Sequence, residues 1–343
     1  MSTPTDSTSD ADASADSTDE ATADATADAI AESTADATAE PTTDRAAPSA
    51  EADAHRGRGN RFFSDLWIVL KRWLVKTTRN PFVVVSSLVQ PVIFLVLFTE
   101  VFGQVTGDAL AAALGTEISY VTYLVPAIVV QSALVAAAGS GIGLVDDMES
   151  GMFEKMLVSP VGRPAMFLGK ALSEVVRIVV QTTLILGLGF VLLAVDSGAA
   201  FGDYVQTGVL GVLGIVAVTV VFAVWFTAFS NVVALVTRDQ ESTIIGANLL
   251  QFPLLFVSSA FLPVDVLPQW VQVVATVNPI TYGVDAVRSI MLGQDVMTVV
   301  EVTAFGGVWN ALVPALAVLL VLDLAFGAVA VRLLTSAASS DVQ

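Results

Sequence analysis

From residue 82 onward the chain is dominated by long apolar runs rather than by short alternating ones. A helix crossing about 30 Å of hydrocarbon needs about 20 apolar residues. Six segments reach that length, near 82–103, 119–145, 166–195, 205–237, 243–262 and 305–334. The third and fourth exceed one crossing, which implies tilt or projection into water. Pro91, Pro126, Pro253 and Pro314 lie inside these runs. Gly139 and Gly143, and the series Gly208, Gly211 and Gly214, recur at spacings that let helix backbones approach closely in lipid. Before the first run, residues 61–79 place Phe63, Leu66, Trp67, Leu70, Trp73 and Leu74 on one helical stripe. Lys71, Arg72, Lys76 and Arg79 cluster toward its end, as in a helix lying among anionic head groups. The pattern predicts an all-α integral membrane protein with six transmembrane helices and an N-terminal interfacial amphipathic helix.

Composition sharpens this picture. Of 343 residues, 55% are hydrophobic and 14% charged, with a mean hydropathy of +0.75. The net charge of −18 sits mostly in an appendage, because the first 54 residues carry 14 of the 33 acidic side chains and only Arg45 on the basic side. That stretch, with its ATADATADA repeat at 21–29, is too poor in large side chains to offset backbone entropy. Residues 1–60 therefore read as an acidic, disordered tail, 61–335 as the membrane domain and 336–343 as a short second tail. The opening MSTPTDSTSD lacks the basic and apolar regions of a signal peptide. Zero cysteines exclude a disulfide framework and a thiolate metal site, and His55 alone cannot build a histidine cluster.

Basic residues set the orientation. With a cytoplasmic N-terminus, thirteen Lys and Arg fall on inner segments and Arg288 alone falls on the outer loops, with Arg177 near the inner end of the third span. Both termini are then cytoplasmic, in the cell membrane.

Two connecting segments carry more specific signals. Between the second and third runs, DDMESGMFEKMLVSPVGRPAMFLGK spans 146–170 and offers Met148, Met152, Phe153, Met156 and Leu157 at helical spacing beside Asp146, Asp147, Glu149 and Glu154. Apolar knobs on a cytoplasmic helix call for a groove in a partner, and Pro160 and Pro164 end that helix. Before the last run, Pro263 and Pro268 bracket a turn. A short apolar helix follows at 268–277, Asn278-Pro279 stops it, and Thr281 is placed to cap a second short helix through Asp285 and Arg288. Two outer helices too short to span imply a re-entrant or interfacial hairpin. Asp285 and Arg288, three apart, can pair on one face and lessen their cost near lipid.

The pattern Glu149-x-Gly151-x-x-Glu154-x-x-Leu157-x-x-Pro160-x-x-Arg163, followed by Gly169-Lys170, resembles the loop of type-2 ABC exporter permeases. In that family the loop, here including Phe153, forms a coupling helix seated in the ATP-hydrolysing subunit. The string F-L-P, L-P-x-W and N-P-I-T-Y-x-V-D-A-x-R is similar to the signature of the family's drug- and lipid-exporting, daunorubicin-resistance-like branch. Here it comprises Pro263, Pro268, Trp270, Asn278, Pro279, Tyr282, Asp285 and Arg288. The resemblance implies a non-catalytic permease working as a pair, with a second copy or a paralogue. It implies an ABC ATPase partner that holds ATP and magnesium, no cofactor on this chain, contact with lipid and none with nucleic acid.

A phosphate-cradling G-x-x-x-x-G-K-[ST] loop is not formed by RPAMFLGKA at 163–171, where Pro164 replaces the first Gly and Ala171 the hydroxyl. The rival reading is an ion-gradient-driven carrier or channel, which needs ionisable groups within the spans. Its candidates are Asp323, Glu174 with Arg177, and Glu100. Neutral polar residues in the spans, among them Gln90, Gln131, Gln181, Asn231, Asn248 and Gln251, suit interhelical hydrogen bonds. Gln90, Gln131, Asn248 and Asp323 are the candidates for a substrate path. Few Tyr and Trp lie in the spans, which tilts the expected cargo toward amphipathic or lipid-like molecules and away from polysaccharide.

Overall fold

A computed structural model describes residues 50–79, 81–103, 118–152, 155, 162–300 and 303–340. The chain divides into two units, Met1–Asp53 and Ala54–Gln343, and the description below concerns the second. The proposed tail lies outside the described residues as far as residue 49. Residues 50–60, assigned to it from sequence, are instead the first turns of a helix.

The helices are α1 (Ala50–Arg79), α2 (Pro81–Phe102), α3 (Tyr120–Glu149), α4 (Arg163–Ser197), α5 (Phe201–Tyr204), α6 (Gly208–Thr237) and α7 (Gln240–Phe256). A 3-10 turn at Val264–Val266 leads to α8 (Gln269–Ala275), α9 (Pro279–Leu292) and α10 (Trp309–Ser340). The centre of the bundle is α3, with 78% of its membrane-length window buried, against 11% for α2 and 17% for α10. Of the glycines singled out in the sequence, Gly139 and Gly143 make room for side chains, Arg177 and Trp73, whereas the close backbone contact is at Gly141, where a Cβ would meet Ser230 O of α6.

Among the described residues five helices are long and apolar enough to cross a membrane: α2, α3, α4, α6 and α10. The count of six expected from the sequence is not reached, because the fifth expected span is the 17-residue α7, which ends at Phe256 and not at 262. At 1.5 Å per residue it covers about 25 Å. The chain unwinds beyond it, and side chains from elsewhere bond the carbonyls that the broken helix leaves over. Asn278 Nδ2 donates to Leu254 O at 2.6 Å and Val257 O at 2.9 Å. Tyr123 Oη reaches Ser259 O at 3.3 Å and Tyr120 Oη reaches Phe261 O at 3.2 Å. Each such group left bare in hydrocarbon costs several kcal/mol, so this set of donors is what permits a helix to stop there.

The hairpin differs from expectation in two ways. Asn278, not Thr281, caps α9: its side chain accepts from Ile280 N at 3.0 Å, and Thr281 Oγ1 has no partner among the described residues. The second helix is not interfacial either. Every residue of α9 from Ile280 to Leu292 is buried, whereas α8 exposes Trp270, Val273 and Val274.

Candidate functional site

Two ends of the bundle can be distinguished. One holds the end of α1, the end of α3 and the starts of α4 and α7, and is called the basic end here. The other holds the hairpin.

At the basic end, Asp146–Glu149 is the last turn of α3 and not part of a separate loop helix. The two adjacent aspartates differ sharply. Asp147 is 2% exposed and Asp146 51%. Asp147 accepts from Lys76 Nζ at 2.8 Å and from Arg72 Nη2 at 3.1 Å, both on α1. Burial alone would lower the Lys76 pKa, but the hydrogen bonds and charges of Asp146 and Asp147 outweigh it and hold the ammonium above its ordinary value. On the other stem of the loop, Gly162 N donates to Asp65 Oδ2 at 3.2 Å. Gly169 lies against Val69, where an added Cβ would sit 2.7 Å from Val69 Cγ1. One face of α1 therefore grips both stems of the loop, with Trp73 packed against Val69 and Met166. Lys170 Nζ, 5.4 Å from the Trp73 ring centre, bonds Ser140 O at 2.9 Å and Asn231 Oδ1 at 3.0 Å, which joins α4 to α3 and α6.

Of the loop residues singled out in the sequence, Glu149 is exposed and accepts from Gln240 Nε2 at 2.7 Å, tying α3 to the start of α7. Gly151 has φ +65°, the left-handed conformation that ends the turn after α3. Phe153, Glu154, Leu157 and Pro160 lie outside the described residues, and Arg163 opens α4. The acidic side of the loop was legible in sequence. Its grip by α1 was not, because adjacent Asp146 and Asp147 carry no local mark of which one turns inward.

Two cavities run from this end into the bundle. The first, about 310 Å³, is lined by Trp73, Lys76, Asp146, Glu174 and Arg177. The second, about 250 Å³, lies between α2 and α7 over α3, lined by Gln90, Asn248, Gln251 and Arg177. They share Ser87, Gly139, Ile142 and Arg177. Arg177 is held by Glu174 Oε2 at 2.5 Å and bonds Ala136 O. Of the four path candidates, Gln90 and Asn248 thus meet in one cleft. Gln131 and Asp323 do not line it. Gln131 is fully buried in α3, and Asp323 is half-buried on α10 with Oδ1 lacking a partner among the described residues. Gln181 and Asn231 serve as helix-to-helix bonds, Gln181 Nε2 to Ser87 Oγ at 2.6 Å and Asn231 as above. Glu100 lines a separate cavity with Thr99 and Gly103.

At the hairpin end, Pro263 and Pro268 flank the 3-10 turn and Pro279 is the first residue of α9. Tyr282 Oη donates to Thr276 O at 2.8 Å. Asp285 and Arg288 pair as anticipated, at 3.3 Å, but inside protein and not beside lipid, exposed by 0% and 1%. Arg288 also donates to Ser259 O at 3.0 Å and to Tyr123 O at 3.3 Å. Asp285 accepts from Ser259 Oγ and Thr298 Oγ1, both at 2.6 Å. A pair so completely hydrogen-bonded can exist where an isolated charge cannot.

A helical bundle with five helices of membrane-crossing length among the described residues, a gripped loop at one end and a buried polar hairpin at the other fits a multi-pass membrane protein, and the comparisons narrow that class. The ABC-2 type transporter family matches residues 64–292, and this chain belongs to it. It is 29% identical over 216 residues to the daunorubicin resistance ABC transporter permease protein DrrB1 of Streptomyces coeruleorubidus, covering 62% of this chain and 70% of the relative. It is 27% identical over 228 residues to a protein named transport permease ycf38 of Cyanophora paradoxa, covering 66% and 74%. It is 25% identical over 237 residues to a doxorubicin resistance permease, DrrC, of Mycobacterium tuberculosis, covering 69% and 80%.

Proposed function

We propose that the chain is the membrane subunit of an ABC exporter for amphipathic, drug-like or lipid-like cargo, driven by ATP hydrolysis in a separate subunit. That partner holds ATP and magnesium and docks on the segment 146–163. The single observation that carries the reading is the grip of α1 on both stems of this loop. A push delivered there moves α1, α3 and α4 together instead of bending the loop alone. The basic end faces the cytoplasm, in keeping with the distribution of Lys and Arg, and both termini lie on that side of the cell membrane.

The α2–α7 cleft serves as the cargo route. Its amide and guanidinium lining suits a polar group, while its apolar walls suit a hydrophobic body. An opening that leaves Asn248 exposed and Gln90 partly so is poorly matched to hydrocarbon, so a second copy or a paralogue covers it. The names of the relatives point to anthracycline drugs as the first cargo to test.

Charge reversal at Glu149 and Glu154 tests the coupling. The expected result is loss of ATPase stimulation and of transport in the complex, with membrane insertion intact. Unchanged transport in that double variant overturns the coupling role.

A further inference from the structure

The face of α2 that looks toward α7 changes character halfway along. Ser86 and Gln90 line the cleft, and the same stripe continues at intervals of four residues with Phe94, Phe98 and Phe102. Phe98 stacks on Phe261 with ring centres 4.5 Å apart and planes 19° off parallel. Phe102 stacks on Phe98 at 5.3 Å, Phe94 meets Phe261 at 6.3 Å, and Phe256 meets Phe261 at 5.4 Å. Beyond the rings lies a further cavity of about 160 Å³, lined by Phe98, Phe102, Tyr120, Phe256 and Phe261. Along α2 the polar lining of the cleft thus gives way to rings, and the rings themselves wall the aromatic cavity at the hairpin end.

The two sides of the stack are held very differently. Phe261 belongs to the unwound segment after α7, which is pinned by side chains. Arg288 bonds Ser259 O and Ala260 O, Tyr123 bonds Ser259 O, and Tyr120 bonds Phe261 O itself. Phe98 belongs to α2, the least buried of the five long apolar helices, whose outward side exposes Val89, Ile93, Val96, Leu97 and Val101. Gln181 ties α2 to α4 at Ser87, in its polar half. The contacts described for its aromatic half include the rings, Val92 and the buried Leu95, all apolar. Ring contacts are non-directional enough to part without leaving a polar group bare, whereas the bonds around Phe261 are not.

We infer that the Phe98–Phe261 stack is a gate at the hairpin end of the cleft, closed in this structure and opened by withdrawal of α2 from a fixed jaw formed by residues 257–262. The inference rests on the permease reading above and assigns the moving and stationary sides of the route.

The chain has no cysteine, so Phe98→Cys with Phe261→Cys introduces the only two thiols. In inside-out vesicles carrying the permease with its ATPase, preloaded with doxorubicin and kept without ATP, the unlinked pair, which lacks both rings, is expected to leak several-fold faster than the unaltered protein. A short thiol-specific cross-linker is expected to join the two positions and return the leak to the unaltered rate, and reduction of a cleavable linker to raise it again. Cross-linking that leaves the leak unchanged, or failure to cross-link, overturns the gate. A second measurement needs no ATP and no partner. In vesicles preloaded with doxorubicin, Phe98→Ala is expected to raise passive leak several-fold over the unaltered protein, and equal leak also overturns the gate. If the unaltered complex moves no doxorubicin on ATP, the cargo reading fails, and the leak measurements alone decide the gate.

Discussion

Lys76 Nζ of α1 lies 2.8 Å from Asp147 Oδ1, an oxygen of a side chain almost closed to solvent in the last turn of α3. This contact joins α1 to the stem of the loop on which coupling is proposed to act.

Asp147→Asn removes the charge from that contact and leaves Lys76 and Arg72 facing a neutral amide. Truncating one partner of a buried pair costs roughly 3–5 kcal/mol, and the effect here is smaller because Lys76 and Arg72 are about one third exposed. The expected outcome is a lower melting temperature in detergent and weaker ATPase stimulation. Asp146→Asn, half exposed, should change both less. Equal effects would show that burial of Asp147 is unimportant.

The pH dependence of the latch follows from the raised Lys76 pKa. A cation whose folded pKa lies above its unfolded value contributes stability that is fully present below the unfolded value, and the contribution fades as pH rises through the folded one. The latch should therefore be insensitive to pH between 6 and 9, on the order of the range where lysine stays charged. The difference in melting temperature between the unaltered protein and Lys76→Met should be flat across that window.

Arg288→Ala leaves the Asp285 carboxylate buried without its cation and strips donors from Ser259 O and Ala260 O. The penalty is roughly 3–5 kcal/mol, and the protein should fail to accumulate in the membrane. Arg288→Lys should rescue only in part, since one ammonium cannot span the carbonyls that the planar guanidinium reaches. Immunoblots of membrane fractions measure both.

Topology is checked by single cysteines in this cysteine-free chain. A cysteine at Asp265 should react with an impermeant thiol reagent added outside intact cells, and one at Ser150 should not. The reverse pattern would invert the orientation.

Asp323→Asn separates ATP-driven export from a carrier that uses a proton at this position. Transport on ATP should persist with an unchanged pH profile. Abolished transport with intact ATPase stimulation would favour the ion-driven alternative.

The sequence by itself determined the helical class, the long apolar crossings, the amphipathic α1 and the special character of two connecting segments. These are properties of local spacing and length, which lipid enforces because every backbone polar group must be satisfied within its own helix. It even held the change from Ser86 and Gln90 to Phe94, Phe98 and Phe102 along α2, although nothing local says which neighbour that stripe faces. Only the tertiary structure decided that Asp147 and not Asp146 turns inward, that Asn278 and not Thr281 caps α9, and that α7 stops after 17 residues. The first and the last of these depend on donors far away in the chain, Lys76 for Asp147 and Arg288 and Tyr123 for the carbonyls after α7. A charged residue in an apolar segment shows that some partner must exist, but the packing of helices from distant parts of the chain selects it.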